Sequence, residues 1–213
     1  MNKRNRTILI VSALATLAPA CRAGEDDRYD VSPPELSSPG DRARLVARGE
    51  HLVKLGGCGD CHTPVKMGEN GPEPDMTRFL SGHPSAMEMP PAPELPQGPW
   101  VAVVGATMTA WNGPWGTSFT SNLTPDRETG LGAWTVEEFI ATMRTGRRMG
   151  KGRPILPPMP IPVLNQYSDE ELAAVFAYLQ SLPPIANKVP APIEPPAPRS
   201  AAAPAPTSDT ARP

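Results

Sequence analysis

The chain has 213 residues, 30 of them proline and only 5% aromatic, enough for one domain with extensions. Its formal net charge of −2 gives no basic field for nucleic acid. The prolines far exceed the usual ~5% and are unevenly placed, which separates a domain from flanking segments.

In chain order, "MNKRNR" is a basic segment with Lys3, Arg4 and Arg6, and "TILIVSALATLA" is an apolar run. The run is short of the ~20 residues a spanning helix needs, so residues 1–20 read as an export signal. "TLAPAC" then resembles a lipobox, although Pro19 departs from the usual small or hydroxyl residue there. Cys21 is therefore expected to carry a lipid, with residues 21–41 as its anchor and linker; the alternative is a spectator cysteine beside an ordinary cleavage site. A domain is expected over residues 42–186 and a disordered Pro/Ala-rich tail over 187–213, where too few large apolar side chains offset the entropy of ordering.

Within the domain, "DRARLVARGEHLVKLGG" places Leu45, Val46, Gly49, Leu52 and Val53 on one helical face, and its two glycines stop the helix. Gly49 is a weak helix former in the middle of that stripe. It is expected to admit the last helix closely, with Phe176 or Tyr178 over it. "TVEEFIATMRTG" pairs Thr135 with Glu138 in a capping box, and "SDEELAAVFAYLQSLPP" repeats the device with Ser168 and Glu171. "WVAVVGAT" is the only strand candidate. The Gly/Pro/Met-rich stretch from Thr63 to about Ala133 has little periodicity. So long an irregular segment inside a domain makes sense if it wraps a large apolar object.

"GGCGDCHTPV" sets Cys58 and Cys61 two residues apart and follows them with His62. A redox pair expects a βαβ context that is missing here. Structural zinc needs about four ligands, and a disulfide closing so short a loop gains little. Covalent haem attachment uses all three residues. Each thiol adds to a vinyl group, and the adjacent histidine becomes an axial ligand to the iron. One motif means one haem.

With these residues in view, the chain resembles class I c-type cytochromes, in particular a group of bacterial periplasmic cytochromes c related to cytochrome subunits of dehydrogenases. The matching stretches are "RGEHLVKLGGCGDCHTP", "FLSGHP", "WNGPWGTSFTSNLTPDRETGLGAWTVEEFIATMRTG", "GRPILPPMP" and "SDEELAAVFAYLQSLPP". The resemblance implies an all-α cytochrome c fold: N- and C-terminal helices crossing, an enclosed haem, and a long irregular insertion between haem motif and distal ligand. Some similar chains carry two or three haems, whereas this one has a single motif.

Among the methionines, Met143 reads as helix core and Met149 lies in a basic turn. Met67 follows His62 too soon, and Met76, Met87, Met89 and Met108 lie in the irregular segment and stay as alternatives. Met159, in the proline-stiffened "RPILPPMPIP", is the expected sixth ligand, as in class I cytochromes, where the distal methionine precedes the last helix. His83 reads as a hydrogen-bonding loop residue rather than a second axial ligand. His51 reads as solvated, and the pair Glu137–Glu138 as a helix start. One or two of Trp100, Trp111, Trp115 and Trp134 are expected to flank the porphyrin or donate to a propionate. Arg153 reads as a surface charge, with pairing to a propionate as the alternative. The expected function is electron transfer in the periplasm by a membrane-tethered carrier that is not itself an enzyme. Its donor and acceptor are redox partners. The alternatives are a cytochrome subunit of a periplasmic dehydrogenase and, third, a haem gas sensor.

Overall fold

A computed structural model describes residues 38–93 and 98–195. The expected signal segment, Cys21, most of the linker and residues 196–213 lie outside them.

The first helix, α1 (Pro39–Leu55), starts three residues before the expected domain boundary. The signal is local: Pro39 stands in the first turn, where a missing N–H costs nothing, and the Ser38 side chain caps the helix by accepting from the Asp41 N–H. Its buried residues are Gly49 and Val53, a narrow stripe because one helix covers it. That helix is α5 (Asp169–Ser181), which begins at the expected Ser168–Glu171 capping box. A Cβ at Gly49 would run into the Ala174 carbonyl oxygen and lie 2.8 Å from Tyr178 Cβ. The glycine is therefore the point of closest approach of the two helices, with Tyr178 beside it. Backbone cannot rotate aside, so Gly49→Ala is expected to cost about 3 kcal/mol, the upper part of the usual overpacking range. The measurement is the urea midpoint at constant m-value. An unshifted midpoint would mean that α5 does not depend on this glycine.

Between them come α2 (Cys58–His62), α3 (Val136–Thr145) and the short α4 (Ile161–Leu164). The Thr135–Glu138 capping box opens α3, and Gly146, at φ 63°, ends it in the left-handed conformation that glycine adopts freely. Phe139 on α3 meets Phe176 on α5 with ring centroids 5.3 Å apart. Val53, Leu131, Ile140, Met143, Leu172, Val175 and Leu179 complete the core around them.

The expectation of an all-α fold is corrected here. The irregular segment holds two antiparallel sheets. One pairs β1 (Val65–Gly68) with β2 (Gly71–Pro74), and the other has the order β3–β4–β5 over Val103–Val104, Ala110–Gly113 and Gly116–Phe119. Strands this short offer too few residues for a period-two pattern to register. The pairing of β1 with β2 and of β4 with β5 follows from tight two-residue turns instead. Gly68 pairs with Gly71 and Gly113 with Gly116, with positive φ at Gly71 and Gly116. Only Val103–Val104 of "WVAVVGAT" is strand.

The tail expectation is also revised for its first nine residues. Asn187 is buried, and Ile193 bridges Thr117. Among the described residues no helix is long and apolar enough to cross a membrane.

Candidate functional site

Gly56 and Gly57 turn the chain from α1 into α2. Gly57 takes φ 61°, which favours glycine, and a Cβ on Gly56 would sit 3.0 Å from the Tyr167 hydroxyl oxygen. The turn delivers Cys58, Cys61 and His62 to the wall of one cavity of about 730 Å³, well within the ~300–1,000 Å³ typical of ligand sites. Much of the remaining wall is apolar: Leu52 from α1, Leu123, Leu131 and Trp134 from the long loop, Phe139 from α3, and Leu172, Val175 and Leu179 from α5. Among the described residues both cysteines are free thiols, with no disulfide between them. Burial pushes the Cys58 thiol up to about 11. Burial, then the neighbouring Asp60 carboxylate, raises Cys61 as well.

His62 is buried, and its Nδ1 lies 2.7 Å from the Ser121 carbonyl oxygen. A carbonyl only accepts, so Nδ1 carries the hydrogen and Nε2 keeps its lone pair. Burial also lowers the imidazole's affinity for a second proton. The ring is thus a neutral, oriented nitrogen donor, the form a metal requires.

The Ser121 carbonyl is itself held from both sides. His83 N–H donates to Thr120 O at 3.0 Å, and Leu123 N–H to Leu80 O at 2.9 Å. Gly82 N–H reaches His62 O at 2.8 Å. A Cβ on Gly82 would lie 2.6 Å from the Ser121 carbonyl carbon, so glycine at φ 76° lets the two segments lie in contact. The sequence reading missed Gly82 and Ser121. The small residue inside "FLSGHP" was the available signal for the first, and a backbone acceptor such as Ser121 leaves none.

Met159 lines the same cavity, is half-buried and packs on the core. Met143 also lines it, from the buried stripe of α3. Met67, Met76, Met87 and Met108 are exposed, and with Met89 and Met149 they stand off the cavity wall. His83 is buried away from it, with Nδ1 2.9 Å from Thr109 Oγ1 and its ring tilted against Phe119 at 4.8 Å. His51 is exposed on α1. Of the four tryptophans only Trp134 reaches the cavity, with the Arg148 guanidinium 4.9 Å above its ring. Arg148, Arg153 and Lys188 are exposed where they meet the cavity and so form its rim. Among the described residues none of the three forms an ion pair with a carboxylate.

No family model matches the chain. It is 30% identical over 149 residues to the cytochrome c subunit of alcohol dehydrogenase (quinone) from Gluconobacter oxydans, covering 68% of this chain and 24% of that protein. It is 30% identical over 144 residues to the gluconate 2-dehydrogenase cytochrome c subunit of Pantoea cypripedii, covering 67% and 24%. This chain is a c-type cytochrome, related to dehydrogenase cytochrome subunits. The cytochrome is also 25% identical over 171 residues to the fructose dehydrogenase cytochrome subunit of Gluconobacter japonicus, across 80% of this chain and 28% of that one. It spans only 24% to 28% of the length of these relatives.

The cavity fits the prosthetic group that a c-type cytochrome implies. Haem c needs an apolar slot, two thiols, an imidazole lone pair and cations for two propionates, and each of these is on the wall or the rim. Thr120, which also lines the cavity, has a buried hydroxyl with no hydrogen-bond partner among the described residues. Zinc is the poorer fit. Among the described residues no group of three or more His, Cys, Asp or Glu side chains is placed to hold a metal ion.

Proposed function

We propose that the cytochrome carries one covalently attached haem c and works as an exported electron carrier. The observation behind this reading is that Cys58, Cys61, His62 and Met159 line one largely apolar cavity. Cys58 and Cys61 are the residues that would hold the haem, through one thioether bond each. His62, through Nε2, and Met159, through its thioether, are the residues that would hold the iron. When bound, the haem supplies a one-electron Fe(III)/Fe(II) couple, taking an electron from one partner and passing it to another.

The protein's own residues hold and tune this couple. The Ser121 carbonyl fixes the His62 tautomer and makes the ring a stronger donor. The apolar wall would keep water from a bound haem, and Arg148, Arg153 and Lys188 on the rim would offer cations to its propionates. No acid–base pair or substrate cleft is needed, which fits a carrier rather than a catalyst. Residues 1–20 serve export to the periplasm and Cys21 a lipid tether to the membrane. Multiple acyl chains make such a tether stable.

The names of the relatives favour a specific setting, as the cytochrome subunit of a dehydrogenase whose catalytic subunit is the electron donor. A carrier with both axial positions filled separates from a gas sensor by one measurement. The dithionite-reduced protein is expected to keep its spectrum under CO. A shifted Soret band would instead mark an open coordination position and a sensor.

A further inference from the structure

Beyond α5 the described residues, up to Pro195, stay on the domain. Asn187 is buried and held by its side chain to one loop. Its Nδ2 donates to Ser81 O at 2.7 Å and to His83 O at 2.8 Å, and its Oδ1 accepts from Ser85 N–H at 2.9 Å. Its own N–H donates to Thr129 Oγ1 at 2.9 Å. Six residues on, Thr117 and Ile193 exchange both backbone hydrogen bonds, at 2.8 and 2.9 Å. A side chain at Gly116 would strike the Ile193 carbonyl, so that glycine admits the strap to the open edge of β5. Between the two anchors, Lys188, Val189, Pro190, Ala191 and Pro192 all line the cavity. Val189 and Pro192 are half-buried, while Lys188, Pro190 and Ala191 are exposed.

We propose that residues 188–192, pinned at Asn187 and Ile193, are an outer wall of the haem pocket that raises its reduction potential by keeping water out. This rests on the haem reading above. Two fixed ends and two prolines that preset φ hold the wall with little remaining freedom. Water at the pocket would favour the more charged ferric state, so a closed wall favours the ferrous one. The segment is a positioning element and touches no reacting atom in the transfer.

The test uses the full-length haem-loaded protein. Val189→Asp sets a carboxylate into the wall, with Val189→Asn as the uncharged control. Ile193→Pro removes the N–H that donates to Thr117. The readouts are the midpoint potential and amide hydrogen exchange at Thr117. Val189→Asp is expected to lower the potential, more than Val189→Asn does. Ile193→Pro is expected to speed exchange at Thr117 and to lower the potential with it. A wild-type potential in Val189→Asp overturns the proposal. If that variant does not fold, a wild-type potential in Ile193→Pro despite fast Thr117 exchange overturns it equally. Wild-type protein without covalent haem is a separate result, which overturns the haem reading and not the wall alone.

Discussion

Replacing Cys58 and Cys61 together by alanine is expected to abolish haem that survives denaturation and organic extraction. Haem staining of a denaturing gel, with intact mass, checks it. The thioether bonds are the only covalent links in the reading, so the effect is complete loss rather than a shift. A double variant that still stains would place the attachment elsewhere. Stability should fall with it, and a magnitude shows why. Empty space from which water is excluded costs about 24 cal/mol per Å³, and the site measures about 730 Å³, part of it open at the rim. Even a fraction of that penalty rivals the ~5–15 kcal/mol that holds a typical domain together. The core cannot collapse to fill the space, since α1 and α5 are already in contact at Gly49. His62→Ala is expected to share this outcome, as a chain with little folded protein by near-UV circular dichroism.

The helices that frame the cavity were legible because each is specified locally. Thr135–Glu138 and Ser168–Glu171 announce their own starts, and Gly49 announces a close approach by being a glycine where a large residue is expected. The sheets were not legible. Strands of two to four residues are set by short turns and by what they pack on, and neither leaves a period-two pattern in the sequence. The first residues of the tail were misread for a related reason. Composition says that "NKVPAPI" cannot build a core, but it does not say that Asn187 satisfies three backbone groups of a distant loop. Its composition suits a strap laid over an existing cavity as well as it suits a free end. In the site, residue types with chemistry of their own were visible, while the backbone carbonyl of Ser121 was not. Any of the twenty residues supplies that acceptor, and only the fold puts it beside His62.

For the proposed sixth ligand, two methionines are candidates by position. Met143 and Met159 both line the cavity. Met143 is 7% exposed and sits in the middle of α3, among Phe139, Ile140 and Thr142. There its thioether already serves as core packing, and the helix fixes its direction. Met159 lies outside any helix, between Pro158 and Pro160, just before α4. Its side chain is half-buried against the core, and the flanking prolines limit how far the backbone can move. Ligation by a residue that packs only at the edge of the core, outside any helix, adds less strain to the fold than ligation from α3 would, so Met159→Ala is the decisive variant. The weak red absorption assigned to Fe(III)–S bonding is expected to vanish, the ferrous form to bind CO, and the midpoint potential to fall, since a methionine ligand raises it. Met143→Leu, close in volume, is expected to keep the band and cost only a little stability. The opposite pattern, with the band lost in Met143→Leu and kept in Met159→Ala, would move the ligand onto α3. It would leave the "PPMP" segment as packing alone.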